Sequence, residues 1–356
     1  MKVAFRGNHL GTKVSMSTAD RRLDLQRTTP VNNSLNRDHD SVHFRNLVAF
    51  SSDLLRYTSG LMLILGFVFP GVAAEKQLVK IQNATEGNHN AVGLWQTDYC
   101  PAKSRAIITK KNMLIHFVEK NESLRHRRFI TDTCFRPKVR PLLESFICVR
   151  LPCGYTVSVD GQKQTLLKLP DFDVMQRQGG LAVIDFSCPD STTHGQVIGG
   201  LPFVEPSYYA PPFESAESVS TFLGLPSGTL AERMMVYAIR MHPEGPQSTS
   251  GVSSTVLRKA ASTHSERQAT LGRQGHQQWQ ARFQHLWMQI GGKPPVEVCA
   301  ESWPGEPLVT ACLGCVHAWR QSAGHWQSVY GSHPLYAYSI HRGRNRIWYA
   351  TGIFGG

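Results

Sequence analysis

CVHAWRQSAGHWQSVYG, Cys315 to Gly331, sets a Cys, a Trp, a Ser and a Gly-His pair in one short run. Read as one or two helical turns from Cys315 to Gln321, it puts Val316, Trp319 and Arg320 near one face. Ser322-Ala323-Gly324 should then end the helix, because glycine accepts the left-handed conformation of a C-cap. His325 therefore falls just past a helix end, in a loop where side chains meet partners. The plainer alternative is a histidine that hydrogen-bonds its own loop backbone.

Outward from this run, Thr229-Leu-Ala-Glu232 has the spacing of a capping box and starts a helix through about Met241. Leu230, Met234, Ala238 and Met241 recur at helical spacing as a core stripe. A second helix from about Thr255 carries Leu257, Ala261 and His264 on one side and ends near Gly272–Gly275, just before His276. Val296–Trp303 reads as the edge of a loop or strand. Tyr336–Ile340 and Arg346–Phe354 read as two strands of a hairpin around His341–Asn345.

The order of these pieces resembles the CAP superfamily, the SCP-like domains, over residues 225–356. Ala260-Ala261-x-x-His264 with Gly275-His276 is similar to the family's helix motif, and Ala300-Glu301-Ser302 to its Gly-Glu-Asn turn. Trp319-x-x-Ser322-x-Gly324-His325 and Ile347–Gly352 are similar to its Trp-to-His segment and last strand. The resemblance implies an α-β-α sandwich whose cleft is lined by His276, Glu301 and His325. It implies a site for zinc or another divalent metal on His276 and His325, because some members bind metal there. A second glutamate of the family falls at Ser322 here. A disulfide between Cys299 and Cys315 would tie two walls of that cleft together. His264, His285, His317 and His333 are read as ordinary structural histidines.

The N-terminal half alternates helices and strands: a helix over Ala102–Lys111, the strand Met113–Glu119, a helix around Pro137–Ser145, and strands at Phe146–Leu151, from Leu181 and from Gln196. That order resembles a thioredoxin-like domain over about residues 90–204. It lacks the family's chemistry, because Glu119–His126 holds no cysteine where the reactive Cys-x-x-Cys would open a helix. Glu205–Glu217, rich in Pro, Tyr and Ser, reads as a linker. The fold class expected is α/β plus α+β. Residues 1–74 form a disordered leader with a signal or anchor segment, 75–204 the thioredoxin-like domain, 205–224 the linker and 225–356 the CAP-type domain.

With 18% charged and 41% hydrophobic residues, most of the chain should bury cores. Its net charge is +12, but residues 1–56 supply 9 Lys/Arg against 5 Asp/Glu, and the rest of the excess is spread thinly. No basic run interleaved with aromatics appears, which argues against a nucleic-acid partner. Leu61–Ala74 is a short apolar run ending in small residues, the pattern of a signal peptide cleaved after Ala74. The localisation expected is secreted, periplasmic or extracellular; the rival is a membrane anchor formed by residues 57–74, the chain's only membrane contact. Eight cysteines in such a setting can pair. Cys312-Leu-Gly-Cys315 has no second pair nearby to complete a zinc site.

The function expected is therefore an exported, non-enzymatic binding protein. Its CAP-type cleft holds a metal, a lipid, a peptide or a cell-surface component, beside a redox-inactive thioredoxin-like module. The alternative is an extracellular hydrolase in which Glu301, with His276 and His325, activates water.

Overall fold

The computed structural model describes residues 94–356. The leader and its cleavage point lie outside the described residues. The chain is a mixture of helices and sheets.

The first sheet follows from short apolar strands. β1 (Trp95–Gln96) leads to α1 (Tyr99–Thr109), whose N-terminus is capped by Asp98 accepting from the Cys100 amide. β2 (Met113–Val118) is buried along almost its whole length, as expected of a central strand covered on both faces. After α2 (Leu124–Thr131) and the single-turn α3 (Arg140–Leu143), β3 (Ile147–Pro152) runs parallel to β2. β4 (Thr156–Val159) and β5 (Gln162–Thr165) form a small separate hairpin. Its two-residue turn, Asp160-Gly161, has both φ angles positive, as such hairpins require. β6 (Gly180–Ile184) and β7 (Val197–Pro202) complete a sheet of order β1-β3-β2-β6-β7, parallel across its first three strands and antiparallel across the rest.

The segment read as a linker is only partly one. Within it lies α4 (Ala216–Leu223), capped by Ser215, with Val219 and Phe222 fully buried. These apolar residues sit in one core that takes in Phe117 and Val183 of the first sheet as well as Met235 and Trp319 of the second half. α4 cannot leave that core without exposing two large side chains, so 205–224 ties the halves together.

α5 (Leu230–Arg240) begins with the Thr229–Glu232 capping box in both directions. β8 (Val252–Ser253), α6 (Thr255–Leu271) and α7 (Trp279–Ile290) follow, then the edge strand β9 (Val296–Glu301), α8 (Leu308–Arg320), α9 (Ala323–Tyr330), β10 (Leu335–Arg342) and β11 (Trp348–Gly355). The second sheet has the order β8-β10-β11-β9, with β11 antiparallel to both neighbours. Strand alternation divides its faces. Tyr336, Tyr338, Ala350 and Phe354 join the main core beneath α5 and α8, whereas Ala337 and Ile353 pack with Leu257 and Ala261 of α6.

The opening run folds differently at one point. α8 begins seven residues before Cys315, and the chain turns at Gln321–Ser322 with Ser322 in extended backbone. Gly324 has no positive φ and lies in the first turn of α9. His325 is thus on a helix, not in a loop. The reason is that Trp326 and Val329, three apart, bury a helical face. The Trp326 indole also donates to Glu244 at 3.0 Å. Trp319 is fully buried against Tyr338 and anchors α8.

Candidate functional site

β9 is an edge strand of alternating character. Val298 and Ala300 face the main core, so Glu297 and Cys299 must project from the other face, toward α6. There the Glu297 carboxylate is completely buried. A buried carboxylate needs compensation, and three side chains converge on it. Arg282 of α7 engages it in a two-pronged ion pair, 2.6 Å to one oxygen and 3.0 Å to the other. His276 Nδ1 donates to Oε1 at 3.0 Å, and His264 Nε2 lies 3.5 Å from the same oxygen. Burial alone would raise the carboxyl pKa, but the hydrogen bonds from His276 and Arg282 outweigh it and hold the group ionised.

His276 is aimed by the turn that follows α6. Gly272 closes the helix with φ +62°. Gln268 then accepts from the Gly275 amide at 3.0 Å, and His264 Nε2 donates to the Gly275 carbonyl at 2.9 Å. These contacts fix the ring tautomers, since a carbonyl and a carboxylate are acceptors only. His264 carries its proton on Nε2, and its Nδ1 is buried without a partner. In the neutral ring the His276 proton sits on Nδ1, which leaves Nε2 as the lone-pair nitrogen, on a side chain 41% exposed.

His325, in the first turn of α9, lies beside the His276 ring. The two imidazole centroids are 5.8 Å apart with planes inclined at 40°. Desolvation, and then the neighbouring His276, lower the His325 pKa, which keeps the ring neutral and able to donate a lone pair. Cys299 completes the group, its sulfur 3.7 Å from His276 Nδ1. Burial, and then Glu297, raise its thiol pKa.

His264, Glu297 and Cys299 each bring one ligand atom within 4.8 Å of the others, a buried group able to hold a metal ion. Its lone pairs are largely engaged, however: Glu297 by Arg282 and His276, and His264 Nε2 by a carbonyl. His276 Nε2 and both ring nitrogens of His325 make no hydrogen bond among the described residues.

Of the residues expected in the cleft, His276 and His325 adjoin each other. Glu301 stands apart, exposed at the end of β9 in a different cleft with Trp303 and His317. Cys299 and Cys315 are free thiols, as are all eight cysteines. Cys315 packs in the core beneath α8 with Val298 and Ala300, and Cys299 points to the opposite face of β9, so the strand separates them. Glu297, Arg282 and His264 are the site residues that sequence reading missed. A Glu two before Cys299 in an alternating strand was a usable signal; Arg282 had none.

Comparison of the chain with protein-family models, with curated proteins and with solved structures gives no match.

Proposed function

We propose that this chain is a binding protein for a divalent metal ion of the zinc class, with His276 Nε2 and a ring nitrogen of His325 as its imidazole ligands. The observation that carries this reading is the buried Glu297 carboxylate behind His276, at 3.0 Å, with a second neutral imidazole alongside. A carboxylate behind a ligating histidine fixes its tautomer and raises its basicity, which is how protein metal sites are tuned. The donor chemistry fits, since two imidazoles suit zinc. With two protein ligands, coordination positions are left for water or an exchangeable ligand.

Binding is preferred over hydrolysis because Glu301, the carboxylate assigned to activating water, has no hydrogen bond or ion pair to either histidine among the described residues. The fold readings belong with this proposal. The β1-β3-β2-β6-β7 order supports a thioredoxin-like reading of residues 75–204, and helices on both faces of a mostly antiparallel sheet support a CAP-type reading of 225–356. Burial raises the thiol pKa values of Cys134 and Cys153 to about 12 and about 11, which supports a module without a reactive thiolate. Export through Leu61–Ala74 is part of the same proposal.

Calorimetric titration of the full chain with zinc chloride tests the metal reading. One equivalent should bind, and His325→Ala should weaken binding at least tenfold while leaving the unfolding midpoint nearly unchanged. Equal zinc affinity in wild type and His325→Ala would remove the reading.

A further inference from the structure

The residue that the metal site does not absorb, Glu301, faces a second cleft of about 400 Å³. One wall is a stripe of α8: Gly314, His317 and Ala318 fall at helical spacing and keep the wall low. The Tyr208 ring lies over His317, 5.4 Å between centroids. Trp303, itself 73% exposed, also lines the cleft and offers it an indole face.

The Tyr208 ring and the Trp303 backbone are held in place. Tyr208 has φ +60°, a conformation that bulky residues rarely adopt and that persists only where the surroundings enforce it. Its hydroxyl donates to Glu306 Oε1 at 3.0 Å, and the other Glu306 oxygen accepts from the Trp303 amide at 3.2 Å. The Trp348 indole in turn donates to the Glu306 carbonyl at 2.8 Å. Gly314 is what lets the tyrosine sit on the helix, since a Cβ there would come within 2.9 Å of its hydroxyl oxygen. Glu306 is thus consumed in holding the Tyr208 ring and the Trp303 backbone. Glu301 is not: its carboxylate has no hydrogen bond or ion pair among the described residues, and no Lys or Arg lines the cleft. On a chain of net charge +12, this is a locally acidic pocket with aromatic walls.

We propose that the cleft between Trp303, Tyr208 and Glu301 binds an alkylammonium group, carried by a free small amine or by a lysine side chain. Ring faces attract a cation through their quadrupole, and the Glu301 carboxylate lining the cleft, without an ion pair among the described residues, supplies the opposite charge. A neutral saccharide would use the rings but would draw nothing from the charge of that carboxylate. The site is separate from the histidine pair and does not depend on a metal.

The experiment is calorimetric titration of the full chain with choline, with Nα-acetyl-lysine methylamide, with the uncharged choline isostere 3,3-dimethylbutanol and with a neutral disaccharide. At least one of the two cations should bind saturably, and which of them binds tighter separates a free amine from a side chain. The isostere should bind about tenfold more weakly, the scale of one cation–π or exposed-charge contribution. Glu301→Gln and Trp303→Leu, both at exposed positions, should each weaken the cation about tenfold without altering the circular dichroism melt or the zinc titration. Failure of both cations to bind, an equal affinity for the isostere, or binding of the disaccharide alone would each overturn the proposal.

Discussion

Replacing Glu297 by Gln isolates the feature on which the site depends. The amide keeps the shape of the carboxylate but removes its charge, and it turns one acceptor into a donor aimed at donors. Arg282 then loses a two-pronged partner while its own side chain is only 23% exposed. Removing one member of a buried ion pair costs about 3–5 kcal/mol, because the remaining charge is stranded. Partial exposure of Arg282 lets water recover some of this, so the expectation is the low end, about 3 kcal/mol. His276 loses its charged acceptor in the same step, so zinc affinity should fall by about 10- to 100-fold, the usual effect of losing an outer-shell partner. Urea unfolding of wild type, Glu297→Gln, Arg282→Met and the double variant measures the stability part. The double variant should recover part of the loss, since it removes the stranded charge together with its partner. A Glu297→Gln midpoint within about 1 kcal/mol of wild type would refute the reasoning, because it would mean that the carboxylate is not the charge holding these elements together.

Two further outcomes follow from the first sheet. His116 and His126 are stacked there, Nε2 to Nδ1 at 2.9 Å, amid Trp95, Phe129 and Phe203. Desolvation lowers both pKa values; for His116 the His126 and Arg150 charges add to this, while for His126 Glu119, Glu122 and Glu214 oppose it. The folded state therefore binds fewer protons than the unfolded one below the ordinary histidine pKa. Stability is full above about pH 6.5 and is lost as pH falls below it, by up to about 1.4 kcal/mol per pH unit for each histidine. His242, His264, His325 and His341 shift the same way, so the acid limb should flatten in part in His116→Leu/His126→Leu. A limb of unchanged slope in that variant, followed by denaturant unfolding at several pH values, would contradict the assignment. Gly179→Ala would set a Cβ 2.5 Å from His126 Cε1 and 2.9 Å from the Phe117 carbonyl oxygen. Overpacking of this kind costs about 1–3 kcal/mol, visible as a lower melting temperature.

What could be read from the chain was what is decided locally. The Thr229–Glu232 capping box, the start of α6 at Thr255 and the β10–β11 hairpin are settled by neighbours in sequence, and they fall where spacing put them. The Asp160-Gly161 turn of β4–β5 was an equally local signal that went unread. Gly324 misled because glycine marks a C-cap only when the chain needs a left-handed residue, and the turn at Gln321–Ser322 needed none. α4 was hidden by the Pro- and Tyr-rich residues before it, whose composition says nothing of the core that Val219 and Phe222 enter. The site divided in the same way. The pairing of His276 with His325 came from motif order, but the charge behind it did not. Glu297 and Arg282 are fifteen positions apart and meet only because the tertiary fold brings β9 and α7 together. Glu301 was chosen over Glu297 on motif position, and four residues along a strand keep the face while moving the side chain from a buried position to the strand's exposed end.

The most direct test of the central claim is a crystal structure of the zinc-soaked full chain with anomalous data collected at the zinc edge. A single strong peak is expected between His276 and His325, about 2.0–2.1 Å from Nε2 of His276 and from one ring nitrogen of His325, with Glu297 still bound to Arg282 behind it. A peak ligated instead by His264, Glu297 and Cys299 with Arg282 displaced, or no peak near either ring, would contradict the account.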